Sequence, residues 1–202
     1  MACHITNLPF MALKLGLPIR VSAECGEINP ETYPAWATIT YEFPARGDLP
    51  PVKLTWYEGA RDGKRHLPSP DLFQGKVPTD SGSLLVGEKG SIFSPSDNGA
   101  EQIILGNSES GEKPKDSAEP KPKNNDDANH KAEWVRAIRE GDPSIARSNF
   151  AYSGVLTEAM LLGNVAVRLG KPIEYDAATG RVTNAPEAAR LVRPEYRKGW
   201  EI

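Results

Sequence analysis

Apolar residues recur at helical spacing from Ser148 to Gly170, and this stretch predicts the central helix of the fold. Asn149 or Ser153 can cap its start, and Gly170 ends it. Apolar groups cover most of the helix circumference, so we expect it to lie buried under a sheet. The main stripe consists of Val155, Ala159, Leu162, Ala166 and Leu169.

Alternation with a period of two residues predicts the strands of that sheet. The clearest strand runs over 35–43, with 52–57 as its antiparallel partner and 19–24 as a neighbour with one polar face. Shorter strands are predicted at 83–87, 91–93, 102–105 and 173–176. The pattern therefore favours an α+β fold, with an open, mostly antiparallel sheet of about six strands and helices packed on one face.

The segment 107–129 interrupts this pattern, because Ala118 and Ala128 are its only apolar side chains. Such a segment cannot bury enough apolar surface to become ordered, so we expect a flexible loop within a single domain of residues 1–202. A solvated linker and a loop that orders over a ligand both fit this composition. An amphipathic helix is predicted next, over 130–141.

Composition narrows the class of protein. The 202 residues suffice for one sizeable domain, and a net charge of −3 with mixed signs argues against nucleic acid or an anionic membrane as partner. Cys3 and Cys25 are predicted to be reduced thiols. The longest apolar run falls short of the roughly 20 residues that span a bilayer.

The opening residues lack the pattern of a signal peptide, so the chain as given is predicted to be cytoplasmic. Met1 runs directly into an apolar helical segment, which suggests the remainder of a longer chain. An export signal on a missing segment would not be visible.

Most catalytic motifs are missing from the sequence. It contains no GxGxxG or Walker-type loop and no GxSxG, and the histidines have no metal-ligand spacing, so we predict no cofactor-binding or metal residues. His4 is the candidate catalytic residue, since an imidazole at the start of a helical segment can project into a cleft and exchange a proton near neutral pH. A structural histidine is the alternative.

Several motifs occur in order along the chain and closely resemble one family. They are Met-Ala-Cys-His at 1–4, Ala-Leu-Lys-Leu-Gly at 12–16, Leu-Thr-Trp-Tyr-Glu-Gly at 54–59, Gly-Ser-Leu-Leu-Val-Gly-Glu-Lys-Gly at 82–90, His-x-x-Glu-Trp at 130–134, Ser-Asn-Phe at 148–150, Leu-Thr-Glu-Ala at 156–159, Leu-Gly-Asn-Val-Ala at 162–166 and Tyr-Arg-Lys-Gly-Trp at 196–200. The chain resembles the C-terminal domain of the glucose-fructose oxidoreductase / inositol dehydrogenase / MocA (Gfo/Idh/MocA) family, in its bacterial branch. The resemblance spans nearly the whole chain and fails in 107–129.

The resemblance implies a two-domain oxidoreductase that transfers a hydride between a sugar or polyol and NAD or NADP. In the family, a Rossmann domain binds the nucleotide and contributes a catalytic lysine, while the C-terminal domain binds substrate and often forms oligomer contacts. That Rossmann domain has no counterpart in this chain. His4 matches the family's catalytic histidine, the last residue of an Asp-x-x-x-His motif whose Asp would lie upstream of Met1.

Three further residues are candidates for the substrate side, on or near the open face of the predicted sheet: Trp56, Tyr57 and His130. Trp56 is equally compatible with a core position. His130 and Glu133 are also compatible with a role in capping and solvating the end of a helix. We therefore expect a substrate-binding and oligomerisation domain that is inactive alone, with the Rossmann domain missing or supplied in cis or trans. The alternative is a stand-alone, non-catalytic carbohydrate-binding or scaffold module. The uncovered face of the sheet also predicts a homo-oligomer, because a half-apolar sheet exposed on one side is commonly covered by a partner.

Overall fold

The computed structural model describes residues 1–97, 99, 101–106 and 126–201, with only the backbone of 126 and 127. The α-helices are α1 (Ala2–Ala12), α2 (Asp126–Glu140), α3 (Phe150–Leu169) and α4 (Ala189–Val192), and 3-10 turns lie at Pro70–Phe73, Pro143–Ile145 and Pro186–Ala188. The strands are β1 (Arg20–Cys25), β2 (Trp36–Phe43), β3 (Val52–Arg61), β4 (Lys64–Arg65), β5 (Ser83–Gly87), β6 (Gly90–Ser94), β7 (Ile103–Leu105), β8 (Ile173–Asp176) and β9 (Arg181–Val182).

The larger sheet has six strands in the order β4-β3-β2-β1-β8-β9, and every neighbouring pair is antiparallel. In its central hairpin, Ile39 lies opposite Trp56 and Thr40 opposite Thr55. Helices α1 and α3 pack against each other, and α3 packs on β1 and β2. The predicted α+β class, with an antiparallel sheet and helices on one side, is confirmed.

Side chains of β2 alternate strictly between the two faces of this sheet. Ala37, Ile39, Tyr41 and Phe43 are buried under the helices, whereas the residues between them are half-buried. The side of the sheet that is covered by α1 and α3 is called the helical face. The opposite side is called the open face. The apolar core of the molecule lies on the helical face.

Helix α3 follows the predicted pattern closely. The Asn149 side chain caps it by accepting a hydrogen bond from the Tyr152 amide, and Gly170 ends it in the left-handed conformation with φ +62°. Gly163 lies directly under the Tyr41 ring, where an added Cβ would fall 2.0 Å from the Tyr41 hydroxyl oxygen. The glycine therefore allows the helix to approach β2 this closely.

By length and composition, α3 is the one helix in the described part of the chain that could cross a membrane. Eight of its 20 residues are buried in the core of the fold. Core helices of soluble proteins share this length and composition.

Strands β5, β6 and β7 form a separate three-stranded sheet rather than an extension of the larger one. This small sheet has its own apolar cluster of Phe73, Phe93 and Leu105. Of the predicted loop 107–129, residues 107–125 lie outside the described residues. Its last part is helical, because α2 begins at Asp126, ahead of the predicted start at His130.

Candidate functional site

The first turn of α1 presents two neighbouring side chains in different directions. Cys3 is half-buried, and its sulfur lies 3.9 Å from the Thr157 hydroxyl of α3. His4 is exposed, while its backbone amide donates to the Met1 carbonyl at 2.9 Å. The chain therefore fixes the backbone of His4 within the helix and leaves its imidazole in contact with solvent.

Trp56 and Glu58 form a hydrogen-bonded pair on the helical face of β3. Their spacing of two residues places both on one side of the strand, where they lie opposite the buried Ile39 and Ala37 of β2. The Trp56 indole Nε1 donates to Glu58 Oε2 at 3.0 Å, and both side chains are half-buried. At this level β3 is the edge strand, because β4 pairs only with Ala60 and Arg61. The pair therefore lies where the helical face meets solvent.

The Tyr41 hydroxyl lies on the same side of the sheet as this pair and contacts α3. It is buried and donates to the Met160 carbonyl at 3.1 Å. Burial is the main cause that raises the pKa of Tyr41, followed by the charge of Glu58 and then by Cys3. Tyr41 therefore remains a protonated donor to the Met160 carbonyl of α3. We call the group Cys3, Tyr41, Trp56, Glu58 and Thr157 the rim site.

A cleft of about 800 Å³ extends from the rim site along the outer side of α3. Thr157 belongs to both, and the cleft continues past Glu158 and Leu161 to the loop that carries Tyr33. Within it the Tyr175 hydroxyl donates to Glu158 at 2.5 Å, and burial, then this hydrogen bond, raise the pKa of Tyr175 to about 12. Phe150 is 94% exposed at one end of the cleft, so the outer side of α3 is partly apolar.

The open face carries a different group of side chains, which we call the aromatic cluster: Trp36, Thr38, Tyr57, Arg61 and His66. His66 Nε2 lies 2.7 Å from the Thr38 hydroxyl, and its ring centre lies 5.1 Å from Trp36 and 5.5 Å from Tyr57. The Arg61 guanidinium lies 4.4 Å from the centre of the Trp36 ring. His66 was not among the predicted residues, although Asp62-Gly63 is a hairpin signal that returns the chain toward β3.

The structure separates the predicted site residues. Tyr57 lies on the open face, whereas Trp56 lies on the helical face and packs against the core, which is the alternative position considered for it. Consecutive residues of a strand point to opposite sides, which is why the two diverge. His130 is exposed on α2, a helix that packs on the Pro143–Ile145 turn. Glu133 accepts a hydrogen bond from the Arg147 amide at 2.9 Å, so it stabilises that turn region.

The described residues contain no dinucleotide-binding fold of the strand–helix–strand type. All strand pairs of both sheets in the described part are antiparallel, so it contains no parallel strand–helix–strand unit of the kind that binds such cofactors. A Glu-Lys-Pro tripeptide occurs at 112–114, outside the described residues, and no glycine fingerprint accompanies it. Among the described residues no group of three or more histidine, cysteine or acidic side chains could hold a metal ion.

Comparison with known proteins does not assign the chain to a family. No family model matches it, and no curated protein matches it. The function is therefore inferred from the geometry of the chain and from the motifs described above.

Proposed function

We propose that this chain is the substrate-binding and oligomerisation domain of a cytoplasmic, NAD(P)-dependent sugar or polyol oxidoreductase. The nucleotide-binding domain would be supplied in cis or in trans, and the chain alone would be inactive. The Gfo/Idh/MocA-like motifs suggest this class of enzyme. The observation that carries the proposal is the exposed His4 imidazole on α1, whose first turn also contributes Cys3 to the rim site.

In this proposal His4 accepts the proton of the substrate hydroxyl group. An exposed imidazole on a helix whose backbone is fixed can approach a bound substrate without rearrangement of the fold. The Trp56–Glu58 pair offers an aromatic surface beside a carboxylate acceptor, and polar groups set against apolar surface are typical of small-molecule sites. The partly apolar outer side of α3, with Phe150 and Leu161, would contact the nucleotide-binding domain.

The proposal predicts that the 202-residue chain does not bind NAD(H) or NADP(H). Isothermal titration of the chain with each nucleotide tests this directly. We expect no heat of binding, since the described residues offer no dinucleotide fold. Tight binding of either nucleotide would refute the proposal that a separate domain binds the nucleotide.

The open face is the proposed oligomer surface. Beside the aromatic cluster it presents threonines and ion pairs such as Arg20–Glu42 at 3.9 Å and Arg61–Glu24 at 4.0 Å. Association through such a face would be weakened by salt. Sizing chromatography at low and high salt should show a dimer or larger species that shifts toward monomer as salt increases.

The aromatic cluster favours a second candidate function. Trp36, Tyr57 and His66 lie together on the open face, on the side of the sheet opposite α3. A stand-alone carbohydrate-binding module would use such a surface without hydride chemistry. Binding of sugar that is abolished by Trp36→Ala and unaffected by Trp56→Phe would favour this second function over the first.

A further inference from the structure

We propose that Glu58, oriented by Trp56, selects neutral polyhydroxy compounds and discriminates against sugar acids and sugar phosphates. This inference rests on the proposed function and adds the charge class of its substrate. It concerns the rim site alone, because the aromatic cluster lies on the other side of the sheet.

The hydrogen bond from Trp56 orients the carboxylate of Glu58. The indole N–H donates to Oε2 at 3.0 Å, so Oε1 is the oxygen that can accept hydrogen bonds from other partners. An ionised carboxylate accepts hydrogen bonds from hydroxyl groups and donates none. A vicinal diol can therefore donate to Glu58 while a C–H face of the same compound packs on the half-buried indole ring.

Neighbouring groups at the rim site leave the charge of Glu58 uncompensated. The Tyr41 hydroxyl is committed to the Met160 carbonyl, and Thr157 donates to the Ser153 carbonyl at 2.7 Å. Arg65, which pairs with Ala60 in register on the same side of the hairpin, donates instead to the Asp80 carbonyl at 2.9 Å. No described salt bridge involves Glu58.

A carboxylate without a paired cation repels a second anion, and partial burial strengthens that repulsion by lowering the local dielectric constant. A neutral polyol experiences no such repulsion and gains charge-assisted hydrogen bonds. The same side chain thus attracts hydroxyl groups and rejects carboxylates and phosphates.

Isothermal titration of the wild type and of Glu58→Gln with sorbitol, D-glucose and gluconate tests the inference. Glutamine keeps the shape and can still accept the Trp56 N–H, so the variant removes the charge with little change in packing. We expect the wild type to bind a neutral compound and to exclude gluconate. In Glu58→Gln, affinity for the neutral compound should fall by about tenfold, because hydrogen bonds to charged groups exceed neutral ones in strength. The preference over gluconate should narrow.

Glu42→Gln is the matched control, since Glu42 is also a half-buried glutamate, but on the open face and paired with Arg20. It should leave binding and selectivity unchanged. Thermal unfolding of each variant checks that its fold is intact.

The outcomes separate the inference from the proposed function. Binding of a neutral compound with selectivity that Glu58→Gln leaves unchanged would overturn the inference and leave the proposed function standing. Preferential binding of gluconate by the wild type would also overturn it. If the wild type binds none of the three compounds, the proposed substrate-binding role is wrong, and the inference falls with it.

Discussion

The two faces of the six-stranded sheet are built from the same strands and differ in almost every physical respect. On β2, Ile39 is 2% exposed under α3, while its neighbour Thr40 is half-buried on the open face. The helical face is stabilised by apolar packing, whereas the open face carries exposed ion pairs and the aromatic cluster. The proposed rim site lies where the helical face reaches solvent at β3. Packing against the apolar core there can hold polar side chains in a fixed orientation.

The largest expected difference between the faces is in stability. Ile39→Ala should lower the free energy of unfolding by about 2–5 kcal/mol, because it leaves a cavity beneath α3. Thr40→Ala on the adjacent residue should change it by less than about 1 kcal/mol, since it removes little buried surface. Urea unfolding of both variants measures the contrast. Equal losses would contradict the distinction between a core face and an open face.

The close approach of α3 to β2 is expected to show as coupling between Gly163 and Tyr41. Gly163→Ala places a methyl group against the Tyr41 hydroxyl and should cost about 1–3 kcal/mol through overpacking. In a Tyr41→Phe background the same substitution should cost less, since the nearest atom is gone. A double-mutant cycle by urea unfolding measures this coupling. Purely additive effects would mean that the contact does not limit the packing of α3.

Alkaline pH should destabilise the helical face. Burial, then the hydrogen bond to Glu158, raise the pKa of Tyr175 to about 12, and burial, then the Glu58 charge, raise that of Tyr41. The folded protein holds these protons more tightly than the unfolded chain does. Their contribution to stability is therefore complete below a pH of about 10 and is lost as pH rises through the folded pKa values.

Urea unfolding at stepped alkaline pH measures this decline. Tyr175→Phe and Tyr41→Phe should each make it shallower, because phenylalanine has no proton to lose. A decline with the same slope in both variants would exclude the two tyrosines as its cause.

The smallest effect is expected within the aromatic cluster. Thr38→Val removes the hydroxyl group that lies 2.7 Å from His66 Nε2 and should lower stability by about 0.5–1.5 kcal/mol. The imidazole resonances of His66 should shift in NMR spectra, because the ring loses its partner. A loss as large as that of Ile39→Ala would show that the open face contributes to the core after all.

Much of the helical face could be predicted from the sequence, because its determinants are local. The apolar spacing of α3, its Asn149 cap and Gly170, and the alternation of β2 each act within one element. The separate small sheet could not be predicted in this way, since alternation identifies strands without specifying their partners. The start of α2 at Asp126 was missed because the composition there is polar.

The candidate site was only partly predictable for the same reason. Trp56 and Tyr57 were identified by resemblance, and period-two alternation alone would have separated them onto two faces. The same alternation links Trp56 to Glu58, a signal that could have been found. The role of Tyr41 could not be predicted from the sequence, because it depends on the tertiary contact with Met160, which is 119 residues away. On α2, Trp134 and Ile138 lie on the predicted apolar side, yet they are 62% and 64% exposed.

Substrate binding at the rim site, rather than on the open face, is the central claim. The chain contains four tryptophans, and their indole N–H resonances can be followed individually by NMR during titration with sorbitol or D-glucose. The Trp56→Phe and Trp36→Phe variants assign the indole resonances of Trp56 and Trp36, because each variant lacks one signal. We predict that the Trp56 resonance shifts while that of Trp36 stays in place. A shift of the Trp36 resonance with no change at Trp56 would place binding on the open face and contradict the account.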